Sequence, residues 1–319
     1  MSKLPLASAL CALSLLAGCY AEPSEEAAAL LDAVSTTASE SQETDEESGA
    51  SSQAVATPTP TPEPTPTPEP LMTEEEALTA LNSYLESLDG TVSVSCVRLT
   101  DGYTYDYNAD CEYYTASLLK APYALWLAER ADAGEIDLST QLPRLDTAPA
   151  QTAYDAIYSM ISLSDNDAAT QLYRVWPAYT ESDFSAFLLD LGVDRPYNAL
   201  SDETNIQGIF SSHDAVKILV ALWNYFGSDA PNAEMLEQAF LDADHPMLES
   251  EYDMAKKYGS WEYALHDIAI VYADEPYCIA VMSDWGDAET DFPEPGTSQI
   301  TEIGNLAADL MTYAPELAA

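Results

Sequence analysis

Ser117 and Lys120 stand three residues apart in Ala116-Ser117-Leu118-Leu119-Lys120, and the pattern around them predicts a helix over 117–133, closed by Gly134. A serine at a helix start exposes its Oγ and carries its own N–H near the positive end of the helix dipole. A lysine three residues on returns to the same face, close enough to hydrogen-bond that hydroxyl. A serine hydroxyl is a weak nucleophile at neutral pH, but a lysine whose pKa is lowered by burial can take its proton. The spacing also suits an ordinary helix with an exposed lysine, although Pro122 disfavours a regular surface helix.

Two further clusters accompany this pair. Ser164 and Asn166 flank Asp165 just before a helical stretch, a grouping that also makes a good helix N-cap. Lys256-Lys257-Tyr258-Gly259-Ser260-Trp261 leads into apolar, strand-like runs, and a glycine there lets a substrate backbone approach a strand edge closely. Lysine is scarce (positions 3, 120, 217, 256 and 257), so each lysine in such a setting carries weight.

The elements that must position these residues follow from periodicity. Thr73 and Glu76 form a capping box ahead of Ala77, Leu81, Leu85 and Leu88, spaced for one helix face. Residues 91–99 alternate as a strand, and 103–107 return after the Thr100-Asp101-Gly102 turn. Helical periodicity marks 165–176, 181–191 and 213–225 in a mostly helical middle. Residues 264–272 and 277–283 read as strands, and 298–311 as a closing helix. This order predicts an α+β fold: an antiparallel sheet built from both chain ends and flanked by helices, with a mostly helical domain inserted. The expected parts are 72–116 with 249–319 for the sheet and 117–248 for the helices.

The chain ahead of residue 72 reads as an address and a spacer. Lys3 precedes an apolar run from Leu4 to Leu16, too short to span a bilayer, and Leu16-Ala17-Gly18 leads to Cys19. This is similar to the lipobox of bacterial lipoproteins: residues 1–18 would be a signal peptide, and Cys19 the lipidated mature N-terminus. An ordinary secreted protein with an incidental Cys19 is the other reading. Residues 19–71 hold 11 acids, no base after Cys19, and alternating Thr-Pro pairs from Thr57 to Pro70, which favour an extended linker.

The 319 residues carry 10 Lys+Arg against 55 Asp+Glu, a net charge of −45, and residues 72–319 keep 44 acids against 9 bases. Such a chain has no footprint for nucleic acid or for anionic lipid. His213, His245 and His266 lie near no cysteine pair, so no metal and no cofactor is implied. Cys96 and Cys278 sit on strands that could be neighbours in an exported, disulfide-permissive domain, or could be free and buried.

Taken together and in this order, the three clusters resemble the S-x-x-K, S-D-N and K-T-G set of class A β-lactamases and penicillin-binding proteins, over essentially all of residues 73–319. His266-Asp-Ile-Ala-Ile-Val-Tyr272 is similar to the strand that follows the third motif in related exported hydrolases. The resemblance implies that Ser117 is the acylated nucleophile and Lys120 its base or tuning group. It implies that Ser164 relays a proton to the leaving group, and that Asn166 positions Lys120 and the substrate amide. Lys257 would supply positive potential for a substrate carboxylate, Tyr258 and Gly259 would line the substrate, and Asp165 would be structural. The N–H groups of Ser117 and Ser260 would form an oxyanion hole, worth about 3 kcal/mol per donor. The implied partner is a small-molecule or peptide acyl substrate (β-lactam or peptidoglycan-like), handled by a monomer anchored outside the cytoplasm through Cys19.

Two departures stand out. Tyr258 occupies the place where the family carries Thr or Ser, whose hydroxyl helps hold the substrate carboxylate. No E-x-x-L-N segment, whose Glu activates the deacylating water in class A enzymes, occurs in residues 170–215; Asp202-Glu203-Thr204-Asn205-Ile206 offers acids in another pattern, and also reads as an exposed loop. An acyl-enzyme would then hydrolyse slowly, or through a different acid. The competing function is a non-catalytic surface lipoprotein that uses the same fold to bind cell-wall peptide.

Overall fold

Thr73 opens the first helix by satisfying backbone donors that a helix start leaves unpaired. In the computed structural model, which describes residues 72–178, 183–193 and 208–313, the Thr73 hydroxyl accepts from the Glu76 N–H, and the Glu76 carboxylate accepts from the Thr73 N–H. The helix, α1 (Glu74–Ser87), buries Ala77, Leu81 and Leu85 along one stripe. The lipobox, the linker and the Asp202–Ile206 segment lie outside the described residues.

Strand β1 (Val92–Arg98) turns back into β2 (Thr104–Tyr107), with Val94 opposite Tyr107. Late in the chain come β5 (Met254–Trp261), β6 (Ala264–Val271) and β7 (Tyr277–Ser283). They join the first hairpin in one antiparallel sheet of order β2-β1-β7-β6-β5. The β1–β7 pairing ties the two chain ends together, as the alternating patterns predict. It leaves β5, which carries Lys257, Gly259 and Ser260, as an edge strand.

The period of two sorts the strand side chains onto two cores. Val92, Val94, Cys96, Tyr277, Ile279 and Val281 face α1 and the closing helix α8 (Gly296–Met311). Val97, Ile268, Ile270, Cys278, Ala280 and Met282 face the helices that lie between the halves of the sheet in sequence. Those are α2 (Lys120–Asp132), α3 (Ala153–Ser162), α4 (Asn166–Val175), α5 (Asp183–Asp190), α6 (Ser212–Phe226) and α7 (Ala233–Leu241). Helix α2 is buried from Lys120 to Ala128, so it runs through that core instead of lying on it. A two-stranded ribbon of β3 (Tyr113–Tyr114) and β4 (Ile209–Phe210), which periodicity does not reveal, ties the approach to Ser117 to the start of α6.

Cys96 and Cys278 do lie on adjacent strands, but one residue out of register. Cys96 faces Ile279, and Cys278 faces Val97. A single-residue offset sends the two side chains to opposite faces of the sheet, so no disulfide joins them. Burial raises the pKa of both thiols, which keeps them protonated and inert. Alkylation of the unfolded, non-reduced protein should therefore modify both Cys96 and Cys278. Protection of that pair, released by reductant, would contradict this register.

Candidate active site

Ser117 sits in a short 3-10 helix (Ala116–Leu119) that runs directly into α2. The residue before it, Ala116, has φ of 47°. An alanine in the left-handed region costs about 1–3 kcal/mol and persists only where its surroundings over-determine it. Three contacts supply that constraint. The Thr115 N–H and hydroxyl both donate to the Gly208 carbonyl, at 3.0 and 3.3 Å. His266, fully buried on β6, lies with Nε2 2.8 Å from the Tyr114 carbonyl. Its Nδ1 accepts from the Ser283 N–H at 3.1 Å, which makes Nε2 the protonated, donating nitrogen. Burial holds the pKa of His266 down, to about 4, so this clamp stays neutral.

Gly259 completes the constraint from the other side. A Cβ at this position would lie 2.6 Å from the Thr115 carbonyl oxygen and 3.1 Å from the Leu118 nitrogen. The sequence suggests that this glycine makes room for a substrate. In the fold it makes room for the nucleophile turn itself, which packs against β5 where any side chain would stand.

Lys120 is the centre of the next layer. It is only 6% exposed, and its Nζ donates to Asn166 Oδ1 at 2.6 Å and to the Ser164 carbonyl at 2.7 Å. The third donor direction has a weak contact with Ser164 Oγ at 3.4 Å. The hydrogen bond to Ser117 Oγ expected from the three-residue spacing is not formed among the described residues, because the acceptors on the Ser164–Asn166 turn hold the ammonium. That third N–H is therefore the weakly held one, and catalytic contacts are commonly loose before substrate binds. Burial lowers the pKa of Lys120 to about 8, against the opposing charges of Asp165 and Asp291.

The Ser164 turn is shaped for this contact. Ser164 has φ of 55°, a second non-glycine residue held in the left-handed region. Asp165 caps α4, its carboxylate accepting from the N–H groups of Asp167 (2.8 Å) and Ala168 (3.1 Å). Asp165 is therefore structural, as the sequence suggests, and its cap fixes the two residues on either side of it. Ser164 Oγ also accepts from Lys257 Nζ at 2.8 Å, so one hydroxyl lies between both lysines.

On β5 the alternation separates two adjacent lysines that sequence alone could not rank. Lys257, completely buried, points to the helical side and to Ser164. Burial and the neighbouring Lys120 charge push its pKa well down. Lys256 donates to the carbonyls of His245 (3.0 Å) and Leu248 (3.2 Å) behind the strand. Tyr258 packs against His245 and Phe292, with ring centres 5.0 and 5.1 Å away. Its own ring centre lies 4.4 Å from Lys257 Nζ. Behind the strand Asp267 is fully buried and accepts from the Leu248 N–H at 2.8 Å; burial pushes its carboxyl up to about 8.

The site thus gathers Ser164, Asn166, Lys120 and Lys257 into one hydrogen-bonded cluster, with the Thr115–Leu118 turn that carries Ser117 packed against Gly259 and Ser260 next along β5. Such a set can hold a proton between two lysines and a serine. Sequence reasoning missed the His266 clamp and the charge of Asp291. The clamp needs the pairing of β6 with β7 before His266 can be seen behind Ser117. Asp291 lies in a loop with no periodicity to place it.

A family model described as "Beta-lactamase enzyme family" matches residues 75–313. Among solved structures, the chain is similar to a β-lactamase from Chitinophaga pinensis, at 18% identity and a TM-score of 0.61, over 73% of this chain and 98% of that one. It is similar to a β-lactamase from Sphaerobacter thermophilus, at 19% identity and a TM-score of 0.61, over 75% and 98%. An ancestral class A β-lactamase matches at 18% identity and a TM-score of 0.60, over 73% and 99%. At such identities the likeness is one of fold. Among curated proteins, none matches.

Replacing Gly259 by alanine should separate β5 from the Thr115–Leu118 turn. The expected outcome in equilibrium urea unfolding is a loss of about 1–3 kcal/mol, together with a slower reaction of Ser117 with a serine-directed phosphonate. A variant as stable and as reactive as the parent would contradict the role given to this glycine.

Proposed function

The chain belongs to the β-lactamase enzyme family, and from that premise we propose that it is an exported, lipid-anchored serine hydrolase that opens an amide or ester through an acyl-Ser117 intermediate. The observation that supports this reading most is the contact of one buried lysine, Lys120, with both Ser164 and Asn166. Both lysines of the cluster are kept in a chain that has five. That speaks for chemistry and against a binding lipoprotein that merely keeps the fold.

In this reading Lys120, in its neutral form, takes the proton from Ser117 Oγ as the oxygen attacks the substrate carbonyl carbon. The N–H groups of Ser117 and Ser260 hold the developing oxyanion. The carbonyl carbon's bond to the leaving nitrogen or oxygen then breaks. That atom takes a proton from Ser164 Oγ, which is replenished from Lys120, now carrying the proton taken from Ser117. Water attacks the acyl-serine to release the acid and restore the Ser117 hydroxyl. Asn166 holds Lys120 in place and meets the substrate amide, Lys257 holds the Ser164 hydroxyl in place, and Gly259 keeps β5 against the nucleophile turn. The anchor rests on Lys3, the apolar run to Leu16 and the Ala17-Gly18-Cys19 sequence. It would put the hydrolase outside the cytoplasm on the acidic 19–71 spacer.

The reading is tested by the pH dependence of Ser117 acylation, measured with a penicillin and with an activated ester. Only neutral Lys120 can accept the proton, so the rate should climb with pH through about 8 and level off above it. Lys120→Met should lower the rate by about 10²–10⁴-fold and remove that limb. A profile unchanged by the substitution would exclude Lys120 as the base.

A further inference from the structure

The acyl-serine route uses Ser164 and both lysines but leaves one hydroxyl of the site without a step, that of Tyr258. This hydroxyl hydrogen-bonds with the Ser164 side chain. The ring that carries it is held from several sides. The ring centres of His245 and Phe292 lie 5.0 and 5.1 Å away, and Lys257 Nζ lies 4.4 Å from its own centre. That nitrogen is in turn 2.8 Å from Ser164 Oγ. The phenol is thus a fixed member of the cluster and not a free flap.

The hydrogen inventory of Ser164 gives this contact a direction. A serine hydroxyl has one proton to give and two lone pairs to accept with. Lys257 Nζ donates to Ser164 Oγ at 2.8 Å, and the weakly held N–H of Lys120 approaches it at 3.4 Å. Both lysines donate, so the serine's own proton goes to the remaining partner, the phenol oxygen of Tyr258. Burial raises the pKa of that phenol, so it keeps its proton at neutral pH, and the Ser164 hydrogen bond works the other way, as a donor to the phenol oxygen must. The Tyr258 O–H is then left to donate outward. Exposure is graded in the same sense: Lys120, Lys257 and Ser164 are buried, whereas Tyr258 is half-buried.

We propose that Tyr258 is a further catalytic residue, whose phenol hands the proton to the leaving atom, so that Ser164 reaches that atom through it. As the carbonyl carbon's bond to the leaving nitrogen or oxygen breaks, the leaving atom keeps the electron pair and takes the Tyr258 proton. The phenol oxygen takes the Ser164 proton, and Ser164 Oγ takes from Lys120 the proton that came from Ser117. Lys120, Ser164 and Tyr258 each end with the protons they began with. Every hydrogen bond in this chain already points in the direction of transfer. A phenol is also a stronger acid than an aliphatic alcohol, and so a better proton donor to a poor leaving group.

The proposal rests on the hydrolase reading above, and the test separates the two. Two esters of one acyl group are compared on the full-length protein, a nitrophenyl ester and a simple alkyl ester. Nitrophenolate leaves without a proton, and an alkoxide does not. Product release gives kcat/KM for each. Tyr258→Phe keeps the ring and its packing but removes the hydroxyl. It should cut kcat/KM for the alkyl ester relative to the nitrophenyl ester by about 10²-fold or more. Ser164→Ala should shift the ratio the same way. The double variant should shift it no further than the larger single one, because the two hydroxyls act in one chain. A merely loosened fold would slow both esters together and leave the ratio where it was.

Equal losses on the two esters, no loss at all, or additive losses in the double variant would overturn the proposal and leave the acyl-serine reading standing. Labelling of Ser117 by a neutral phosphonate while the alkyl ester stays intact would overturn it as well. Failure of both esters together with failure of that labelling would sink the hydrolase reading itself.

Discussion

A buried ammonium group held by the turn that follows α3 organises this site. Lys120 Nζ donates to Asn166 Oδ1 and the Ser164 carbonyl at 2.6 and 2.7 Å. Taking a lysine out of water favours its neutral form, and only well-placed acceptors keep it in position. Here burial wins far enough to bring the pKa to about 8, while Asp165 and Asp291 stop it from falling further. Both protonation states are then accessible near neutral pH, which is what a group that must take and return a proton requires. The same contact joins the nucleophile helix to the Ser164 turn. Lys257 joins that turn to the edge strand through Ser164 Oγ. Three segments distant in sequence are thereby locked through two lysine nitrogens and one hydroxyl.

The surrounding fold supplies rigidity where these segments are strained. Ala116 and Ser164 both hold left-handed backbone without being glycine. Each is braced by structure that the rest of the chain provides: the β3–β4 ribbon, the His266 clamp and the Gly259 contact for one, and the Asp165 cap and the two lysines for the other. The sheet built from both chain ends is the base for this bracing. β6 and β7, which fix the His266 tautomer between them, are buried along their full length.

Much of this is legible in the amino-acid sequence alone. The three clusters, the capping box at Thr73 and the alternation in β1, β6 and β7 are local patterns, and local patterns survive folding when burial and periodicity agree. What escaped depended on register or on contacts between distant segments. The faces of Cys96 and Cys278 turn on a one-residue offset between β1 and β7. Gly259 is a glycine because Thr115 and Leu118 press against it, far away in sequence. The three-residue spacing of Ser117 and Lys120 places both on one face, but it does not reveal that acceptors more than 40 residues later hold the ammonium. Tyr258 shows as a departure in the sequence, yet only its contacts with His245, Phe292 and Lys257 show what it does to the space around it.

The central claim is that Ser117 carries the covalent bond, and peptide-resolved mass spectrometry addresses it most directly. The full-length protein would be incubated with a neutral fluorophosphonate, digested, and mapped beside Ser117→Ala. The account predicts one adduct, on the peptide that holds Ser117, and its complete loss in the substituted protein. An adduct that persists in Ser117→Ala, or that maps to another hydroxyl, would contradict it.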